Sequence, residues 1–336
     1  MFDFIPTEYF LLAFGLILLI KGGDMFVEAA SAIAKRFKLP ELLIGATVVS
    51  IGTTLPEVMT SAMGAMSGSG EIAYGNAIGS IICNTALIAA VTVAIKPGKA
   101  DKKTLLFPVS FFFIIAIFYS LNAYIGGGFS RVAGLILLAG FIFYMIMNVI
   151  NMKKNPTEQI EPLPECEVAE ESASSAGLIK DILVLIAGAA IIAVGAYLLV
   201  ESATAIAEQL GVPESVIGLT VVAIGTSLPE LVTAITSLIK GHGALSLGNI
   251  IGANIFNLVL VSGVAITISP FNVPENSLLF GQNASFVLDI PVMLAVMGIL
   301  TLPTLFKGKL QRWQGISLIG IYLAFMLVQF VFVRAV

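Results

Sequence analysis

The sequence predicts an all-α polytopic membrane protein: ten transmembrane helices arranged as two five-helix repeats of inverted topology. Three observations carry this. The chain of 336 residues is 58% hydrophobic and only 11% charged, with a mean hydropathy of +1.01. Apolar runs of roughly 20 residues, the length that crosses a ~30 Å hydrocarbon core, recur throughout. A long stretch of the first half also repeats in the second without a gap.

The predicted spans are 8–34, 41–66, 71–95, 104–122, 128–150, 177–206, 214–239, 244–268, 285–306 and 312–333. Short connections carrying Gly, Pro, Asn or Ser separate most of them. The longest connection divides the chain into a first half (1–150), a linker (151–176) and a second half (177–336). The linker holds Pro156, Pro162, Pro164 and six Glu, a composition that suits a disordered segment and is too short for a folded regulatory domain.

Lys and Arg set the orientation. With the N-terminus outside, the inner loops hold Lys35, Arg36, Lys38, Lys96, Lys99, Lys102, Lys103, Lys153, Lys154, Lys180, Lys240, Lys307, Lys309 and Arg312. The outside keeps only Arg131 and Arg334. Positive charge belongs on the inner face, so both termini are expected outside and the acidic linker in the cytoplasm. Five helices is an odd number, so the second half enters the membrane opposite to the first.

The repeat is sharpest at Ile44–Glu57, IGATVVSIGTTLPE, against Ile217–Glu230, IGLTVVAIGTSLPE, which agree at 11 of 14 positions, 173 residues apart. The same offset relates Leu18–Asn84 to Ile191–Asn257. Pro56 has no N–H to give the Gly52 carbonyl, and its ring crowds that turn, so a break with free carbonyls is expected there. Thr53, Thr54 and the Glu57 carboxylate add hard oxygen donors in mid-membrane, as a dehydrated Na⁺ or Ca²⁺ requires. A single copy also reads as a capping box restarting the helix, Thr54-x-x-Glu57. Two copies, each with its Glu, point to two half-sites of a transporter.

The third and eighth spans repeat as GNAIGSIICN (75–84) and GNIIGANIFN (248–257). Asn76, Ser80 and Asn84 fall on one helical stripe. Gly75 with Gly79, like Gly248 with Gly252, is a small-xxx-small pair expected to admit a neighbouring helix. Asn76 and Asn249 also read as glue between helices. Lys21, three residues before Asp24 in the first span, reads as pairing with it or snorkelling to the interface. Glu28 and Glu201 recur in both halves. Asp289 reads as interfacial, and the single histidine, His242, as a loop residue.

Composition excludes other classes. The net charge of −4 defines no nucleic-acid surface, and two cysteines, Cys83 and Cys166, make neither a disulfide framework nor a zinc site. Without Lys or Arg before its apolar run, the start MFDFIPTEYF reads as no cleaved signal peptide. No Ser–His pair or His and Cys ligand set lies in the spans, so an intramembrane enzyme is not expected. Neither a cofactor nor an obligate protein partner is implied.

GTTLPE with GNAIGSIICN, and GTSLPE with GNIIGANIFN, resemble the two α-repeats (44–84 and 217–257) of the cation/calcium antiporter superfamily. Nearly the whole chain is covered, and among the branches it is most similar to the prokaryotic sodium/calcium exchangers. The resemblance implies an antiporter of a prokaryotic cell membrane that exchanges Ca²⁺ for Na⁺ by alternating access. Glu57 and Glu230 would bind Ca²⁺, with carbonyls near Thr53 and Thr226. Na⁺ would use Thr53, Thr54, Ser80, Thr226 and Ser227, with carbonyls near Ser50 and Ala223, and Asn84 and Asn257 would sit centrally. Two departures stand out. Ala253 lies where many members have Ser, and Asn257 lies where potassium-dependent members have Asp, which argues against K⁺ transport. A Ca²⁺/H⁺ antiporter using the same two glutamates is the alternative, because a carboxyl in a low-dielectric site holds a proton more readily.

Overall fold

The computed structural model describes residues 7–37, 41–68, 70–154, 175–209, 223–274 and 277–335. Among these, nine helices are long and apolar enough to cross a membrane, and a tenth, shorter apolar helix is Leu228–Ile239. In chain order they are α1 (Thr7–Arg36), α2 (Leu42–Met66), α3 (Gly70–Ile95), α4 (Lys102–Gly126) and α5 (Arg131–Lys154). The second half supplies α6 (Ser175–Gln209), α7 (Leu228–Ile239), α8 (Gly243–Ile268), α9 (Ser285–Lys307) and α10 (Arg312–Val331). The ends of the expected linker are therefore helical, since α5 continues to Lys154 and α6 starts at Ser175. The rest of the linker, Cys166 included, and the part of the seventh span before residue 223 lie outside the described residues.

Burial separates the centre from the rim. In α8, 83% of the spanning window is buried, against 22% in α10. The outer helices expose large apolar side chains, such as Phe10, Ile125 and Ile186. So many exposed apolar groups suit a hydrocarbon surrounding rather than water.

Three of the inner helices are locally widened. α2 opens with a π-helical turn at Gly45–Val49, α3 contains one at Asn84–Ala89 and α8 one at Asn257–Val261. The last two begin at residues related by the repeat. A π turn frees one residue from the regular 3.6 spacing and is often found at functional sites.

The break expected at Pro56 is absent from α2, which runs helically from Ser50 to Met66 with Pro56 inside it. The second copy does break. A short helical turn, Ala223–Thr226, stops at Ser227 before α7 begins.

α8 crosses α2 through its glycines. A Cβ on Gly248 would overlap the Leu42 carbonyl oxygen, and one on Gly252 would overlap Ser50 Oγ and lie 2.6 Å from Ala46 Cα. The expected close approach is thus realised in the second half. A Cβ on Gly75 or Gly79 would meet no described atom within 4 Å beyond its own stretch of helix, and the stretch that the repeat would place there, 215–222, lies outside the described residues. Gly248→Val should destabilise the fold by about 1–3 kcal/mol, the usual cost of overpacking a tight contact. Its melting temperature in detergent should fall, while Gly320→Ala, in open space, should melt like the parent.

α1 and α6 form a second layer, packed chiefly on each other. A Cβ on Gly188 would lie 3.1 Å from the Gly22 carbonyl oxygen, and one on Gly195 would lie 2.9 Å from that of Gly15. The repeat relates Gly15 to Gly188 and Gly22 to Gly195, so the two contacts are counterparts.

Short strands close the loops at one end. β1 (Gly128–Phe129) pairs with β2 (Phe271–Asn272), and β3 (Ser277–Leu279) pairs with β4 (Gln282–Asn283) and β5 (Val333–Ala335).

Candidate ion-binding site

Where α2, α3, α7 and α8 meet, Glu57 and Glu230 are both fully buried, and their carboxylates lie close enough for their charges to interact. Neither Oε1 nor Oε2 of Glu57 has a hydrogen-bond partner among the described residues, and the same holds for Glu230 Oε2. Thr54 Oγ1 donates to Glu230 Oε1 at 3.4 Å, which joins the two glutamate motifs directly.

Asn84 and Asn257 open the two π turns and are also fully buried. Both amide atoms of each lack a partner among the described residues, as does Ser227 Oγ. Buried polar atoms left unpaired cost roughly 1–3 kcal/mol each, and charged ones more. Seven such oxygens, from Glu57, Glu230, Asn84, Asn257, Ser227 and Asn254, are grouped on the four inner helices and the turn before α7. Hard oxygen donors with net negative charge suit a desolvated Na⁺ or Ca²⁺.

The other predicted residues are placed as follows. Thr53 is buried, and its hydroxyl donates to Asn249 Oδ1 at 3.2 Å. Thr226 donates to Asn76 Oδ1 at 3.4 Å. Because the repeat relates Thr53 to Thr226 and Asn76 to Asn249, these two bonds are counterparts. Ser50 donates to the Gly45 and Asn249 carbonyls at 2.7 and 2.9 Å, so its hydroxyl is spent on holding α2 to α8. Ser80 is buried on α3. Ala223 begins the short turn before Ser227.

Asn76 and Asn249 act as hubs. Asn76 Nδ2 donates to the Glu57 carbonyl at 3.1 Å and to Ser61 Oγ at 2.8 Å, while Asn249 Nδ2 donates to Thr233 Oγ1 at 3.0 Å. Their role as glue between helices follows from these bonds. One residue that the motifs did not single out is Asn254, whose Nδ2 donates to Thr85 Oγ1 at 2.7 Å and contacts Met297 Sδ at 3.1 Å. Its polarity inside GANIFN was the available signal, but the repeat gives it no polar counterpart, since residue 81 is Ile.

The remaining polar residues lie away from this centre. Asp24 pairs with Lys240 at 3.3 Å rather than with Lys21, because packing brings the end of α7 beside α1. Asp289 accepts a hydrogen bond from Gln329 at 2.7 Å. His242 is nearly buried at the start of α8. Among the described residues no group of three or more His, Cys, Asp or Glu is arranged to hold a metal.

The model of the sodium/calcium exchanger protein family matches residues 7–150 and 180–331. The chain belongs to the sodium/calcium exchanger family. It is accordingly an integral membrane transporter, not an enzyme, in a family that moves Na⁺ and Ca²⁺ without a cofactor. This exchanger is 33% identical to the sodium/calcium exchanger MaX1 of Methanosarcina acetivorans, over 97% of this chain and 99% of that one. It is 35% identical to an uncharacterised membrane protein of Methanocaldococcus jannaschii, over 94% and 95% of the two chains. Among solved structures it resembles the sodium-calcium exchanger NCX_Mj soaked with Na⁺ and Sr²⁺. That match has a TM-score of 0.78 and 32% identity, and it covers 96% of this chain and 99% of the other.

Proposed function

We propose that this exchanger trades Ca²⁺ for Na⁺ across a prokaryotic cell membrane by alternating access, with Glu57 and Glu230 as the shared ligands of both ions. The observation that carries this is the pair of buried carboxylates, one from each repeat, three of whose four oxygens have no partner among the described residues. Together they carry −2, which one Ca²⁺ or two Na⁺ neutralise. Two such loads in one small site repel each other strongly at low dielectric, so one ion leaves as the other arrives. Thr53, Thr54, Thr226, Ser227, Ser80, Asn84 and Asn257 complete the ligand set, with carbonyls near Ser50 and Ala223.

Alternating access follows from inverted halves. The counterpart hydrogen bonds Thr53–Asn249 and Thr226–Asn76 support a two-fold relation between the halves. So does the family match in two stretches on either side of the linker. With the N- and C-termini outside and the linker in the cytoplasm, exchanging the conformations of the halves carries the site from one face to the other.

The test is Ca²⁺ uptake into proteoliposomes of the purified full chain. An outward Na⁺ gradient should drive uptake, and an outward H⁺ gradient of equal size should not. Uptake driven by H⁺ alone would replace this reading with Ca²⁺/H⁺ exchange at the same glutamates.

A further inference from the structure

The α1/α6 layer meets the inner helices at a contact that the repeat does not reproduce. Lys240, the C-cap residue of α7, places Nζ 2.7 Å from Glu28 Oε1 and 3.3 Å from Asp24 Oδ1, and also donates to the Asp24 carbonyl at 3.4 Å. Asp24 and Glu28, one helical turn apart on α1, thus clasp one ammonium. Arg36 and Asp181, 3.0 Å apart, join α1 to α6.

The counterparts of these residues lie at the other end of the helices. Lys240 corresponds to Ser67, Asp24 to Tyr197 and Glu28 to Glu201. Ser67 turns its hydroxyl back to the Met63 and Gly64 carbonyls of its own helix, 3.0 Å from each. Tyr197 and Glu201 are exposed. When the halves exchange conformations, residue 67 takes the place that Lys240 holds now, and a serine cannot form an ion pair.

We propose that Lys240, Asp24 and Glu28 form a one-sided latch that biases the exchanger toward the state closed at the Lys240 end, by the charge rule the cytoplasmic one. This rests on the alternating-access reading above. The two states of a perfectly symmetric pair of halves would be equally stable. Here one of them holds an ion pair that the other lacks. The clasp is partly exposed, so its effect on the equilibrium is that of a solvated pair, about twofold to fivefold. A ligand that binds one state is weakened by the fraction of protein in the other, so the latch makes apparent Ca²⁺ affinity differ between the faces.

The experiment uses the full chain in unidirectionally oriented proteoliposomes and compares the apparent Ca²⁺ affinity at the two faces. Lys240→Ser should tighten affinity at the Lys240 face relative to the other by about twofold to fivefold, and Lys240→Arg should leave the ratio unchanged. Ser67→Lys, which supplies a cation opposite Glu201, should move the ratio in the same direction as Lys240→Ser. A second readout needs no transport. Val232 lies under α1, where a Cβ on Gly23 would overlap it. A Val232→Cys protein also carrying Cys83→Ala and Cys166→Ala should react faster with an impermeant thiol reagent once Lys240→Ser is added. Unchanged labelling together with an unchanged affinity ratio would overturn the latch. A parent protein that moves no Ca²⁺ would overturn the exchange reading instead, while the labelling would still report on the latch.

Discussion

Glu57→Gln and Glu230→Gln should each abolish Na⁺-driven Ca²⁺ uptake, with losses of at least about a hundredfold. Each substitution removes half of the charge that neutralises Ca²⁺. Breaking a buried charge pair by removing one partner costs about 3–5 kcal/mol, and a tenfold change is about 1.4 kcal/mol. The fold should survive. Glutamine has the same shape, and at position 230 it keeps the Oε1 that accepts from Thr54. The unliganded site also loses one of two interacting negative charges, so the melting temperature in detergent should not fall. Added Ca²⁺ should raise the melting temperature of the parent and leave both variants unmoved, because only a protein that binds the ion is stabilised by it. Parent-like uptake by either variant would remove that glutamate from the site.

The glutamate pair was legible in the sequence because the motif repeats. A lone LPE segment after two hydroxyl residues is equally a helix cap, whereas two copies at one offset carry a geometric implication. The spans were legible for a different reason, since lipid demands about 20 apolar residues wherever the chain crosses. What packing decides was not legible. Pro56 predicts a break by local chemistry, yet α2 runs through it and the break falls at Ser227 instead. The π turns that begin at Asn84 and Asn257 have no local sequence signature, because they add one residue to a turn that looks like any other apolar helix. Local spacing offers Asp24 only Lys21, as a pair or as a snorkelling neighbour, whereas the structure pairs Asp24 with Lys240, 216 residues away. Asn76 and Asn249 were ambiguous between ligand and glue until their bonds to Thr226, Ser61, Thr53 and Thr233 were located.

Clamping the vesicle potential should shift the Ca²⁺ equilibrium of this exchanger by about fiftyfold per 100 mV. The resemblance to prokaryotic sodium/calcium exchangers implies three Na⁺ per Ca²⁺, so one net positive charge crosses with the Na⁺ in each cycle. Moving one charge through 100 mV is worth about 2.3 kcal/mol, which gives the fiftyfold figure at about 1.4 kcal/mol per tenfold. The sign is fixed by the direction of Na⁺. In vesicles loaded with Ca²⁺ and diluted into Na⁺, three positive charges enter as Na⁺ and two leave as Ca²⁺. An inside-negative clamp set with valinomycin and K⁺ should therefore favour Ca²⁺ exit, and an inside-positive clamp should oppose it. Ala253 is the residue that puts this at stake. It is fully buried on α8 and is the repeat counterpart of Ser80, so one hydroxyl is missing from the second half. In the proposed ligand set, loss of a single neutral ligand would still leave Ser80, the threonines and Ser227. A backbone carbonyl or a water then suffices to complete the third Na⁺ position. If the hydroxyl were indispensable, only two Na⁺ would balance the −2 of the glutamates and each cycle would be electrically silent. A Ca²⁺ distribution that ignores the clamp would establish that two-for-one exchange, and Ala253→Ser should then restore the voltage dependence.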